Sequence, residues 1–359
     1  MENVKIAIWG FGAMGQGMAR ALLGRRGVEI TGICDLQNAS KSMFKVLGFN
    51  GITAGITAQD HNDVAITDDI DAAVPPKSAD LVLLATDSFT AKAFPKLETL
   101  IGKGVNIITI AEEMSWAWAN EPELAAKIDI LAKEAGVSVL GTGINPGLVM
   151  DLLAVVLSAC MIDVQKVTCK RVNSLSPFGP TVMEEQGVGM SFAEFEEKDA
   201  KGELAGHVGF AESIGMIAAG MGLDFDEFKQ QMKPILTEVD RKSPYGFAAA
   251  GHLAGVNMAA QALKDGEVII DMYHPQQIEP QLAGVDTGDY VILEGTPPVN
   301  MSITPEIEGG LGTMAMAINC IPQVINADAG LISMLDIPVP RVIMGDYRHL
   351  IKEGKKIVK

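Results

Sequence analysis

The chain has 359 residues and a formal charge of −17 at pH 7, which excludes a nucleic-acid partner, because its phosphates would be repelled. Hydrophobic residues make up 48%, enough to core about two domains and too many for a disordered chain. The cysteines Cys34, Cys160, Cys169 and Cys320 are too widely spaced for a zinc or CxxC site; no metal is expected, and they read as reduced cysteines of a cytoplasmic protein.

The N-terminus enters a strand pattern at once, with no basic region or apolar signal core. The apolar run 152–162 is far short of the roughly 20 residues that a membrane helix needs, so no membrane partner is expected. Val4–Trp9 is an apolar run short enough to be a buried strand, and residues 14–23 set Met14, Met18, Ala21 and Leu22 on one helical side. Between them lies Gly10-Phe11-Gly12-Ala13-Met14-Gly15, in the strand–turn–helix context that a dinucleotide fingerprint requires. The first glycine permits a tight turn, the second lets backbone approach a pyrophosphate, and the third lets helix pack on strand. The helix N-terminus offers N–H groups and partial positive charge to the phosphates. Val28–Cys34 reads as the second strand. Asp35 follows it, twenty residues beyond Gly15, where a ribose-binding carboxylate belongs. Residues 36–40 hold no arginine for a 2′-phosphate, so NAD is the expected cofactor; Lys41 leaves NADP as the alternative.

Residues 35–77 are irregular, rich in glycine and aspartate, and no element is assigned there. Residues 79–85, 105–110 and 137–140 read as buried strands; 88–100, locally irregular at Pro95, and Pro122–Ala135 read as helices. Apolar runs alternating with helices predict an α/β fold with a Rossmann-type, doubly wound parallel sheet. At Gly141-Thr142-Gly143-Ile144-Asn145-Pro146-Gly147 the pattern changes. Asn145 is expected to cap a helix that starts at Pro146 and runs through Val149, Leu153, Val156 and Leu157. The dinucleotide-binding domain is therefore expected to span 1–145.

Residues 146–330 read as a second, α+β domain for substrate and oligomerisation. Strands are expected at 164–172, 268–273 and 290–293, helices at Phe210–Met221 and 311–325, and a long loop at 174–189. An antiparallel second sheet would suit a subunit interface, so a homodimer or homotetramer is expected. The segment 331–359 is expected to return to the first domain.

In an open α/β sheet, ligands bind beyond the carboxyl ends of the strands, which nominates four loops. Gly10, Phe11, Gly12, Ala13, Met14 and Gly15, with Asp35, form the expected cofactor site. In Ala85-Thr86-Asp87-Ser88, Ala85 and Thr86 meet the nicotinamide half, or Asp87 or Ser88 simply caps a helix. Glu112 and Glu113 follow a buried strand, placed to hold a substrate ammonium or accept a proton; a solvated acidic turn is the plain alternative. Neighbours in an extended loop point in opposite directions, which favours Glu112 as the residue facing the cleft. In the fourth loop, Asn145 and Gly147 bring backbone and a helix N-terminus to a carboxylate or the nicotinamide amide, or the loop merely crosses between domains. His274 and His252 are each an acid–base or substrate group, or an ordinary satisfied histidine. No pair among His61, His207, His252, His274 and His349 has metal-site spacing.

The combination of Gly10 to Gly15, Ala85 to Ser88, Glu112-Glu113 and Gly141 to Asp151 resembles the 2,4-diaminopentanoate dehydrogenase family. Three second-domain stretches carry the more specific part of the likeness: Ser176-Pro177-Phe178-Gly179-Pro180 with Gln186-Gly187-Val188-Gly189, His252 to Met258, and His274 to Pro280. The resemblance runs almost end to end. It implies a dihydrodipicolinate-reductase-like architecture and NAD(P)-dependent oxidative deamination of 2,4-diaminopentanoate to 2-amino-4-oxopentanoate and ammonia, in ornithine fermentation. The partner it implies is a small diamino acid. The basic His/Lys substrate motif of the similar reductases is absent, which argues against dihydrodipicolinate reduction. The rivals are another NAD(P)-dependent amino acid or semialdehyde dehydrogenase of this architecture and a non-enzymatic nicotinamide-binding sensor. The roles given to individual residues come from their positions in the chain.

Overall fold

The computed structural model describes residues 2–48 and 61–358, with the backbone of 52–53 and 56–57. The chain divides into two compact units, one of Met1–Gly147 with Gly309–Lys359 and one of Leu148–Glu308. In the first unit, β1 (Val4–Trp9), β2 (Val28–Cys34), β3 (Ile66–Thr67), β4 (Leu81–Leu84), β5 (Asn106–Thr109) and β6 (Ser138–Gly141) pair in parallel in the order β6-β5-β4-β1-β2-β3. Every residue of β4, β5 and β6 is buried. A parallel sheet is covered on both faces, which is why these strands are continuous apolar runs rather than alternating ones. Their exceptions are paired: Asn106 donates Nδ2–H to Asp80 O at 2.8 Å and accepts the Ser138 N–H at 3.0 Å.

The helix expected at 88–100 spans Thr90–Gly102, with Pro95 inside it, and its N-cap residue Phe89 makes no side-chain cap bond. The Thr90 N–H instead donates to Glu113 Oε2 at 2.7 Å. No helix begins at Pro146. Gly147 adopts φ +127°, in the left-handed region, and residues 145–151 form turns. The helix begins at Leu152 and ends at Ser158, capped by Asp151 rather than Asn145: Asp151 Oδ1 accepts the Leu152 N–H at 2.6 Å, and Oδ2 accepts the Ser213 hydroxyl at 3.0 Å.

The second unit contains β7 (Asp163–Ser174), β8 (Glu227–Leu236), β9 (Leu253–Lys264), β10 (Glu267–Gln277), β11 (Gly288–Thr296) and β12 (Val299–Ile303), in the order β8-β9-β10-β7-β11-β12. The sheet is mixed rather than antiparallel, because β10 lies parallel to β7 while the other neighbours are antiparallel. The helices Pro180–Glu185, Phe192–Ala200 and Phe210–Met221 fall between β7 and β8; the first of them interrupts the stretch expected to be one long loop. Strand alternation turns Cys169, Arg171 and Asn173 of β7, and Met272 and His274 of β10, to one buried face. Arg171 and Asp289, paired across β7 and β11, form a buried ion pair at 2.5 Å. Burial raises the Asp289 carboxyl above its ordinary range, offset by Arg171 and the Ile307 N–H.

The return to the first unit comes at Gly309, earlier than the expected residue 331. Two helices, Gly309–Asn319 and Ile321–Asn326, replace one, with Pro322 at the start of the second. The first packs against Ala13–Leu23, where any side chain at Gly17 would collide with Met314 Sδ. Then β13 (Gly330–Ile332) pairs in parallel with β6 and completes a seven-stranded sheet. Breaking a buried ion pair strands its partner's charge. Arg171→Met is therefore expected to cost about 3–5 kcal/mol of unfolding free energy, with most of it recovered in Arg171→Met/Asp289→Leu. Urea unfolding checks this, and a loss below about 1 kcal/mol, the value of an exposed pair, would contradict it.

Candidate functional site

Three glycines shape the turn after β1. Gly10 adopts φ +96°, and a side chain there would strike Ala85 O and Thr86. A side chain at Gly15 would strike Gly10 O, so the helix packs directly on the turn. A side chain at Gly12 would meet nothing within 4 Å. The open approach is thus at the second glycine, at the N-terminus of Ala13–Leu23, which has no side-chain cap. That is the cradle a pyrophosphate needs: close backbone, free approach and a helix dipole. Phe11 turns its ring into the core, and its backbone faces Asp35. The Phe11 N–H donates to Asp35 Oδ2 at 2.7 Å. Asp35 Oδ1 accepts the N–H groups of Gln37 (3.1 Å) and Asn38 (2.8 Å) and the Asn38 side-chain amide (3.0 Å). Ala13 and Met14 open the helix. Asp35 ends β2 and holds the turn, and Lys41 Nζ lies 3.1 Å from Asn38 Oδ1.

The other three loops stand at the same sheet edge. Ala85 and Thr86 lie against Gly10, and Thr86 donates its hydroxyl to Asp87, which is paired with Lys96 at 2.6 Å. Glu112 and Glu113 open a 3₁₀ helix, Glu112–Trp116, rather than an extended loop, so they are not opposed as expected. Glu113 is drawn to the neighbouring loop: its N–H donates to Ser88 O at 3.1 Å and its carboxylate accepts from Thr90. Glu112 is half-buried one residue earlier. Gly141 lies against Met114 backbone, Ser115 Oγ lies 3.4 Å from Pro146 O, and the Ile144 N–H donates to Thr313 Oγ1 at 3.1 Å. Asn145 is half-buried in this loop and Gly147 is buried against Gly143.

The predicted histidines belong to the second unit and do not come together. His252 sits in the turn before β9, near its own Ala250 O at 3.5 Å. Met258, opposite His274, lies six residues along that strand, about 20 Å at strand rise. His274 lies inside β10, not after it, and is 3% exposed. Its Nε2 is 3.0 Å from Asn173 Oδ1, and its ring meets His207 edge-on at 4.6 Å between centroids. Burial, then the neighbouring charge of Arg171, lowers His207 to about 3. Burial, His207 and Arg171 lower His274 well below the ordinary imidazole range. Both rings are neutral at pH 7. Sequence reading gave no role to Asn173, His207 or Gln276 in this layer, although Gln276 lies in the stretch His274 to Pro280 that carries part of the family likeness. Among the described residues, no group of three or more His, Cys, Asp or Glu is placed to hold a metal ion, and no helix is long and apolar enough to cross a membrane.

The parallel sheet, the glycine cradle and the inserted mixed-sheet unit define a chain of the dinucleotide-binding dehydrogenase class. A family model described as the 2,4-diaminopentanoate dehydrogenase C-terminal domain matches residues 148–353, starting at the first residue of the second unit. The chain is 53% identical to 2,4-diaminopentanoate dehydrogenase of Acetoanaerobium sticklandii, over 100% of both chains. It is 24% identical to an amine dehydrogenase of Streptomyces virginiae, over 77% of this chain and 82% of that one. The solved amine dehydrogenase of Mycobacterium smegmatis shares the fold, with a TM-score of 0.81, 24% identity and coverage of 95% and 98%. The chain belongs to the 2,4-diaminopentanoate dehydrogenase family.

The two neutral histidines make stability pH-dependent. Their folded pKa values lie below the unfolded value near 6.5, so the unfolded chain binds more protons at acid pH. This stabilisation is complete above about pH 6.5 and is lost on acidification towards the folded values. Each histidine is expected to contribute about 1.4 kcal/mol per pH unit well below 6.5. Urea midpoints between pH 7.5 and 5 should fall less steeply in His207→Gln and His274→Asn; unchanged slopes would contradict the neutral pair.

Proposed function

We propose that this chain catalyses the NAD(P)-dependent oxidative deamination of 2,4-diaminopentanoate to 2-amino-4-oxopentanoate and ammonia. The full-length 53% identity to a dehydrogenase of that name carries the substrate assignment. The open approach at Gly12, between the tight contacts of Gly10 and Gly15, supports a dinucleotide site. The residues Gly10 to Gly15, with Asp35, would hold the cofactor by its pyrophosphate and ribose, and Ala85, Thr86 and Asn145 would stand at its nicotinamide half. When bound, the cofactor supplies the hydride acceptor.

The chain must then manage protons and charge. The distal ammonium of the substrate must lose a proton before its carbon can give up hydride. Glu112 is the assigned acceptor, because Glu113 already serves the helix Thr90–Gly102. Once Glu112 has passed that proton to solvent, its carboxylate steadies the cationic imine left by hydride loss; a base must then activate the water that converts imine to ketone and releases ammonia. Asn145 and Gly147 are assigned to the substrate side of their turn. His274 is assigned to hold Asn173 rather than to move a proton, since burial keeps it neutral and its Nε2 faces Asn173 Oδ1. His252, bonded within its own turn, keeps only a substrate-facing assignment from the sequence. A soluble homo-oligomer in the cytoplasm fits this reading; the outer face of the second sheet carries a groove of ≈ 480 Å³ lined by Thr168, Lys170, Tyr273 and Tyr290, suited to a second copy.

Glu112→Gln keeps shape and removes charge. It is expected to cost about 2–5 kcal/mol of transition-state stabilisation, with cofactor affinity retained. Glu113→Gln is expected to lower stability by about 0.5–2 kcal/mol, as loss of a helix cap does, with smaller kinetic effects. Steady-state kinetics with paired thermal melts separates them, and near-normal kinetics for Glu112→Gln would remove its role. Asp35 would also repel a 2′-phosphate, so NAD is expected to be favoured over NADP by about tenfold or more. Comparison of kcat/KM for the two cofactors decides this; a clear NADP preference would contradict it.

A further inference from the structure

Among the described residues, three carboxamides of the second unit have a buried atom without a hydrogen-bond partner; Asn257, opposite Pro275, belongs to the other face of the sheet, which leaves Gln276 and Gln186. Gln276 on β10 is 6% exposed, and its Nε2 has no hydrogen-bond partner among the described residues. Gln186 is 4% exposed; its Nε2 donates to Gly206 O at 2.6 Å, but its Oε1 has no partner among them. Buried polar groups are almost always paired, and the exceptions ask for a bound partner. One orphan here is a donor and the other an acceptor.

Both lie in one layer over the sheet. Along β10, Gln276 follows His274 by two residues and precedes Ile278 by two, so all three share a face. On one side, His274 meets the ring of His207, and Gly206, beside His207, receives the Gln186 amide. On the other, Ile278 packs in an apolar cluster with Leu175, Ala254 and Met183, and Met183 belongs to the helix Pro180–Glu185 that ends at Gln186. The same two contacts bracket both glutamines. In this layer both histidines are neutral and Arg171 is paired with Asp289, while the buried carboxylate Asp151, which caps the helix Leu152–Ser158, lies near Cys169.

We propose that Gln276 and Gln186 recognise the amino acid end of the substrate, with the Gln276 amide donating to its carboxylate and Gln186 Oε1 accepting from its α-ammonium. This rests on the diamino acid reading above. An α-amino acid presents acceptor oxygens and ammonium donors one carbon apart, the complement of one orphan donor and one orphan acceptor. Neutral amides make these bonds without adding a second buried charge. They also select, because a ligand lacking either group leaves a buried amide unpaired.

The test uses full-length protein, three compounds and two variants. The compounds are 2,4-diaminopentanoate, 1,3-diaminobutane (no carboxylate) and 4-aminopentanoate (no α-amine). Gln276→Leu is expected to weaken the two carboxylates by about 10- to 100-fold in KM and leave 1,3-diaminobutane unchanged. Gln186→Met is expected to weaken the two α-amines by a similar factor and leave 4-aminopentanoate unchanged. Melting temperatures and calorimetric binding of 2,4-diaminopentanoate are measured on each variant. Equal losses across all three compounds would overturn the proposal. So would unchanged discrimination with a raised melting temperature, which would mean that the amides merely hold water. Absence of turnover by the wild type would remove the functional reading alone; the proposal would then stand or fall on whether Gln276→Leu loses calorimetric binding of the diamino acid.

Discussion

The glycine turn after β1 depends on its tie to the end of β2: the Gly10 N–H donates to Cys34 O at 2.9 Å and the Phe11 N–H to the Asp35 carboxylate at 2.7 Å. The Gln16 and Asn38 amides then close on Phe11 O at 2.9 and 3.2 Å. With Phe11 held, Gly10 can sit against Ala85, Gly15 against Gly10, and Gly12 can stay open. The glycine cradle is therefore built by backbone contact and held by backbone, amide and carboxylate hydrogen bonds. Asp35 is also the side chain assigned to the cofactor's ribose, so under the proposed function the group that shapes the turn would read what enters it.

The same economy appears at the next loops. Two adjacent carboxylates divide their work by position. Glu113 turns to the unpaired N–H at the start of Thr90–Gly102, where a carboxylate complements the helix dipole. Glu112, half-buried one residue earlier, is the carboxylate assigned to the substrate under the proposed function. In the second unit Arg171 is paired with Asp289, and burial keeps His207 and His274 neutral. A neutral layer of amides and imidazoles can orient a zwitterion without competing for the proton that the reaction must move.

Much of the first unit was legible in the sequence. Strands buried on both faces are short continuous apolar runs, and the glycine spacing is set by backbone sterics that no side chain can replace. The second unit was legible in part: the strands expected at 164–172, 268–273 and 290–293 lie within β7, β10 and β11, and the helix Phe210–Met221 is as expected, whereas β8 and β9 were not seen. β8 is an edge strand, largely exposed, whose sequence EFKQQMKPIL has no buried face to alternate. β9, LAGVNMAAQALK, is rich in alanine and glycine and lacks the β-branched pattern of a strand. The cap at Asp151 was hidden because Asn145-Pro146 matches the local rules for a helix start, while a glycine at φ +127° bars that helix. The helix-capping role of Glu113 and the pairing of His274 with Asn173 depend on contacts between segments far apart in sequence, which no local pattern encodes.

The most direct test of this account measures reduced nicotinamide and free ammonia together, on purified full-length protein with NAD across a panel of diamino acids and monoamino acids. The account predicts cofactor reduction with 2,4-diaminopentanoate above every other compound, and one ammonia released per cofactor reduced. Cofactor binding with no reduction by any compound would make the chain a sensor, and reduction without ammonia release would make it a dehydrogenase of another bond; either result would contradict the account.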